Sequence, residues 1–165
     1  MTAPTHPRPS PWRTAALAAG CVILAAGIGS LATIPNIPTW YAGLHKPAFT
    51  PPNWAFGPAW SVLYVLIGIG FWRILNLGPR VAGQRTAVAL FLVQLTLNAL
   101  WSVAFFGLHS PLDGLIVIAA MILTIIATII AFWPLDRLAA LLMVPYLAWV
   151  GFASLLNLSV FLLNR

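Results

Sequence analysis

Carboxylates are nearly missing from this chain. It has 2 Asp+Glu in 165 residues, Asp113 and Asp136, and all charged types together reach only 6%. Soluble domains carry about 25% charged residues, so water is excluded as the main solvent. The same scarcity excludes most reaction chemistry. General acid–base catalysis needs a titratable group within reach of substrate, and ion-coupled carriers keep an ionisable residue in mid-membrane. No Asp, Glu, Lys or His lies in the middle of an apolar run here. The single cysteine, Cys21, has no partner for an internal disulfide and reads as a small buried hydrophobe. No metal site is expected.

What is present is apolar and basic. Hydrophobic residues make up 61%, and 8 Lys+Arg leave a net charge of +6. In a soluble chain that charge would point to nucleic acid. Here the basic residues flank apolar runs, where they set topology and meet lipid headgroups, so the expected partner is membrane lipid and not nucleic acid. A helix crossing the hydrocarbon layer needs about 20 apolar residues. Five stretches qualify, at about 15–34, 58–77, 85–106, 111–132 and 135–163. The predicted fold is an all-α membrane protein, a single five-transmembrane-helix bundle over 13–165 after a tail at 1–12.

Local chemistry marks the boundaries. Ser110-Pro111-Leu112-Asp113 offers an N-cap, a proline at the first helical position and an acid in the first turn, and Pro134-Leu135-Asp136 repeats the proline and the acid. Gly78-Pro79 and Gly107 end their helices, and Pro145 predicts a kink in the fifth. A cleaved signal peptide is the competing reading of the first stretch, with Arg8 and Arg13 before it and Ser30-Leu31-Ala32 as a loose cleavage site. The run is longer than a usual signal core, which favours a retained span. Its small residues, Ala16, Gly20, Ala26, Gly27 and Ser30, suit close helix approach.

Orientation follows from the basic residues. Arg8, Arg13, Arg73, Arg80, Arg85 and Arg137 share one side, and only Lys46 and Arg165 take the other. The positive-inside rule puts the N-terminus in the cytoplasm. The long connection at 35–57 then lies outside. It carries Pro35, Pro38, Pro47, Pro51, Pro52, Trp40 and Trp54, and stiff backbone with large apolar rings predicts a packed lid.

Folded at 3.6 residues per turn, three helices each carry one polar–aromatic stripe. Trp60 and Tyr64, with Phe71 beyond, mark the second. Gln94, Asn98, Trp101, Ser102 and Phe105 mark the third, and Tyr146, Trp149, Ala153 and Asn157 the fifth. An amide facing lipid is costly, so Gln94, Asn98 and Asn157 should face the interior. These residues describe an aromatic-walled pocket under the lid, suited to a flat conjugated ligand. Interfacial tryptophan belts need no ligand, and that is the reading for Trp12, Trp72 and Trp133. For Trp60, Trp101 and Trp149, packing and ligand contact both remain open, as does interhelical bonding for Gln94 and Asn98.

At these residues the sequence resembles the TspO/MBR family, the tryptophan-rich sensory proteins related to the mitochondrial translocator protein (peripheral benzodiazepine receptor). The resemblance lies in Trp40-Tyr41-x-x-Leu44-x-Lys46-Pro47-x-Phe49-x-Pro51-Pro52-x-Trp54 and Gly57-Pro58-x-Trp60-x-x-Leu63-Tyr64. It continues in Gln94-Leu95-x-Leu97-Asn98-x-x-Trp101-Ser102-x-x-Phe105-Phe106-Gly107 and Pro145-Tyr146-Leu147-x-Trp149-x-x-Phe152-Ala153-x-x-Leu156-Asn157. It implies a five-helix fold, often dimeric, that binds protoporphyrin IX or haem as ligand, with no obligatory cofactor. Ligand contacts implied by the motifs are Tyr41, Pro51, Trp60, Asn98, Trp101, Trp149 and Ala153; the stripes add Tyr64 and Tyr146. Trp60 and Trp149 match positions implicated in light-dependent porphyrin breakdown. The family's sterol consensus is absent, because no Lys or Arg follows Tyr146 before Arg165, so sterol binding is not implied.

The expected function is therefore a membrane tetrapyrrole sensor or regulator in a bacterial cell membrane. Passive porphyrin transport and light-dependent porphyrin degradation are the alternatives. Small residues on the first and fourth helices (Ala120, Thr124, Thr128) fit a homodimer. His45 and His109, on the outer side, read as surface bystanders before haem ligands, and Lys46 reads as a solvated loop lysine before a partner for a ligand carboxylate. Asp113 and Asp136 read as helix-start charges.

Overall fold

A computed structural model of the chain describes residues 10–165. Of the proposed N-terminal tail at 1–12, residues 1–9, Arg8 among them, lie outside the described residues, and Pro11 and Trp12 belong to the first helix. Five helical segments are long and apolar enough to cross a membrane, Pro11–Asn36, Asn53–Leu77, Gln84–Gly107, Pro111–Phe132 and Arg137–Leu163, and among the described residues there is no strand. The helices are α1 (Pro11–Thr33), α2 (Asn53–Leu77), α3 (Gln84–Ser102), α4 (Pro111–Phe132), α5 (Arg137–Leu142) and α6 (Val144–Leu163). The last two form the fifth span. Packing runs around a closed ring, α1 on α2, α2 on α5, the fifth span on α4, α4 on α3 and α3 back on α1.

The fourth span matches its expected bounds. The others differ for local reasons. The first begins at Pro11, a proline suited to the first turn, and runs through a single 3-10 turn at Ile34–Asn36. The second starts at Asn53, with Pro58 inside the helix; a proline in the second turn costs one backbone bond without ending the helix. The lid is shorter for that reason. The fifth starts at Arg137, because Asp136 is the N-cap itself, its carboxylate accepting from the Ala139 N–H at 3.0 Å. Its expected kink falls at Met143, two residues before Pro145. Ser110 caps α4 by accepting from the Asp113 N–H at 3.2 Å.

The half of the bundle near the Arg-rich end is filled. Phe71 stacks on Phe91 at 4.0 Å, and Phe91 on Phe132 at 6.2 Å, joining α2, α3 and α4. Gly70 lets α2 close on α5, since a Cβ there would stand 3.1 Å from the Ala139 carbonyl oxygen. α1 packs through Thr14, Ala18, Val22, Ala25 and Gly29. The small residues expected to do this lie elsewhere on the helix: added Cβ atoms at Gly20 and Gly27 would meet nothing within 4 Å. Thr128, expected on a dimer face, is fully buried inside the chain. Trp72 donates to the Pro11 carbonyl at 3.2 Å and so ties α2 to the start of α1, which goes beyond a belt role.

At the same end Arg73 and Asp136 form an ion pair of 2.7 Å. Burial pushes the Asp136 carboxyl up, but the Arg73 guanidinium and the Ala139 and Leu138 amides hold it net below its ordinary value. A depressed folded-state pKa stabilises above the unfolded value and is lost as pH falls through the folded one. Asp136→Asn is expected to cost about 1 kcal/mol at pH 7, because the pair is partly screened by solvent. Thermal unfolding in detergent should show this, together with a flatter acid limb below the usual carboxylate range than the parent chain shows.

Candidate functional site

The half of the bundle away from the Arg-rich end is hollow. A cavity of about 520 Å³ opens between the C-terminal ends of α1 and α3, the N-terminal half of α2, and α6. Trp60 lies seven residues into α2, roughly 10 Å along the axis. It leans on Tyr64 at 5.4 Å and meets Tyr146 edge-on at 6.3 Å. Trp149 is braced by Phe56 at 6.0 Å and Phe152 at 5.6 Å. Trp101 stacks on Phe105 at 5.5 Å.

α3 ends in a π segment, Val103–Gly107, where the Leu108 N–H reaches back to the Val103 carbonyl at 2.8 Å. The wider turn lets the neighbours Phe105 and Phe106 both be buried. They meet the lid from below, with Trp40 edge-on to Phe105 at 5.4 Å and Tyr41 on Phe106 at 5.5 Å. The lid is also fastened by polar bonds. Asn164 donates to the His45 carbonyl and accepts its N–H, each at 2.9 Å. The His109 ring stacks on Trp40 at 4.9 Å, with Nε2 2.8 Å from Asn36 Oδ1. Burial pushes the Tyr41 phenol up from its ordinary value, so its O–H stays protonated at neutral pH.

The structure brings together Tyr41, Trp60, Tyr64, Trp101, Trp149 and Ala153 around the cavity. It does not place Pro51, Asn98 or Tyr146 there. Pro51 borders a separate groove between α2 and α6. Asn98 lies one layer behind the wall, accepting the Tyr64 hydroxyl at 2.7 Å, and Tyr146 is fully buried with its hydroxyl on Met121 Sδ at 3.4 Å. Helical periodicity finds the buried face of a stripe but not the layer in which each residue ends. Neither His45 nor His109 lines the cavity. Lys46 is not a solvated side chain: Nζ donates to the carbonyls of Tyr41, Leu44 and Ala42 at 2.7, 2.9 and 3.4 Å.

The wall contributed by α1, namely Ala26, Gly29, Ser30 and Thr33, was not anticipated. Its signal in the sequence is the spacing Ala18, Val22, Ala25, Gly29, a small-residue ridge that brings α1 against α3 near Ser102. Asn157 holds the wall in place. Its Oδ1 accepts the Trp101 indole N–H at 3.1 Å, and its Nδ2 donates to the Pro111 carbonyl at 2.8 Å. Gln94 and Asn98 are buried, as expected; both Gln94 side-chain atoms and Asn98 Nδ2 have no partner among the described residues.

Five spans, an uncharged aromatic cavity and a fastened lid define a multi-pass membrane protein with a hollow of small-molecule size at one end. The chain belongs to the TspO/MBR family, whose profile matches residues 17–163. It is 46% identical over 151 residues to the tryptophan-rich protein TspO of Archaeoglobus fulgidus, covering 86% of this chain and 92% of that one. The tryptophan-rich sensory protein of Cereibacter sphaeroides is 39% identical, covering 76% of this chain and 77% of its own. The human translocator protein is 37% identical, covering 73% and 72%.

Gly114 tests the wall. A Cβ there would stand 2.6 Å from Asn157 Oδ1, so Gly114→Ala must displace that amide. Leaving the Trp101 N–H unpaired costs about 1–3 kcal/mol. Gly114→Ala and Asn157→Ala are each expected to lower the unfolding temperature in detergent. The pair together should lower it by less than the sum, because both break the same contact.

Proposed function

We propose that the protein is a tetrapyrrole-binding sensor or regulator that takes protoporphyrin IX or haem into the outer cavity. The observation that carries this reading is the set of indoles Trp60, Trp101 and Trp149 on one hollow under the lid. Flat conjugated rings stack on such walls, and most of the ligand's surface leaves water. The name of the Cereibacter sphaeroides relative agrees with sensing. We place the N-terminus in the cytoplasm of a bacterial cell membrane, since Arg13, Arg73, Arg80, Arg85 and Arg137 lie at the end opposite the cavity. A homodimer fits the exposed Gly20 and Gly27 on α1.

Protoporphyrin IX added to the protein in lipid nanodiscs is expected to quench tryptophan emission saturably. Trp149→Ala should weaken binding by about tenfold, as loss of a buried aromatic anchor does. Quenching that never saturates, or identical titrations for parent and variant, would count against the reading.

Light-dependent porphyrin breakdown is a second reading, favoured by the contact of Trp60 with both Tyr64 and Tyr146. Oxidisable rings thus run from the cavity wall into the core. Illumination of the bound complex should bleach the porphyrin absorbance, and Trp60→Phe should slow the loss by about tenfold. An unchanged bleaching rate would remove the enzymatic reading while leaving binding intact.

A further inference from the structure

We infer that the cavity accepts only the uncharged part of a tetrapyrrole, so that the carboxylate-bearing edge stays at the mouth; this rests on the tetrapyrrole reading above. Among the described residues no Lys, Arg, His, Asp or Glu lines the cavity. Several of its polar groups are already committed, and the others, such as the Ser30, Thr33 and Ser102 hydroxyls, are neutral. The Tyr64 hydroxyl proton goes to Asn98, the Trp101 N–H goes to Asn157, and the Asn157 amide goes to Pro111. An ionised carboxylate drawn to this depth would lose its water and meet no cation, which is among the costliest burials available.

The lid carries one lysine, and its geometry turns it away from this task. Lys46 lies over the Tyr41 ring at 4.7 Å while donating to three carbonyls. To pair with a ligand it would abandon all of these and release the turn they close at Tyr41–Gly43. Lys46 is therefore a fastener of the lid and not an anion site. The mouth differs from the interior, with the exposed residues Asn53 and Trp54 on its rim. Protoporphyrin carries its propionates along one edge, so the apolar edge goes in toward the indoles and the propionates remain in the headgroup region.

Tryptophan quenching in nanodiscs, corrected with empty discs, tests this with protoporphyrin IX, its dimethyl ester, and uroporphyrin, whose carboxylates surround the ring. The ester is expected to bind within about threefold of the acid, and uroporphyrin at least about a hundredfold more weakly. Lys46→Gln should shift acid and ester by the same factor. An ester bound more than about tenfold more weakly than the acid, tight uroporphyrin binding, or a Lys46→Gln variant that loses the acid alone would overturn the inference while leaving tetrapyrrole binding intact. If neither acid nor ester binds saturably, the tetrapyrrole reading itself fails.

Discussion

A carboxamide within hydrocarbon has no water to turn to, and the hollow half of this bundle is arranged around that constraint. Asn157 is its clearest expression. One side chain reaches an indole on α3 and a carbonyl at the start of α4, so three spans are registered by a single amide. Gly114 exists in the shape it has because that amide must pass close by. Asn98 performs a related task one layer away by holding the Tyr64 hydroxyl. The cavity walls are thus fixed from behind, and the faces they present inward are mostly carbon.

The positions of the spans were legible because hydropathy and capping chemistry act locally. Ser110 with Pro111 and Asp113 marks the start of α4 to the residue. Pro58 misled because a proline is compatible with both the first turn of a helix and the second, and only packing decides. The π segment left no local mark, since nothing in Val103–Gly107 differs in composition from an ordinary α turn. Its effect, two adjacent phenylalanines facing inward, follows from how α3 meets the lid.

The candidate site was legible in part for the same reason. Trp60, Tyr64, Trp101, Trp149 and Ala153 lie on faces that periodicity identifies, and the cavity collects them. Pro51, Asn98 and Tyr146 share those faces or the adjoining lid but fall outside or behind the wall. Lys46 looked free because a sequence does not reveal which carbonyls a turn leaves open. α1 was overlooked because its contribution is backbone proximity at Gly29 and small hydroxyls, not an aromatic signature.

The two halves of the bundle differ in how a substitution spreads. Stacked phenyl rings of α2, α3 and α4 fill the half near the arginines. Around the hollow, Tyr64 and Trp101 both line the cavity and bond an amide behind it, so a change at either alters the wall and its support together. Trp60 and Trp149 meet their neighbours ring to ring, so the outline of the hollow can be recut at those two positions without unpairing an amide.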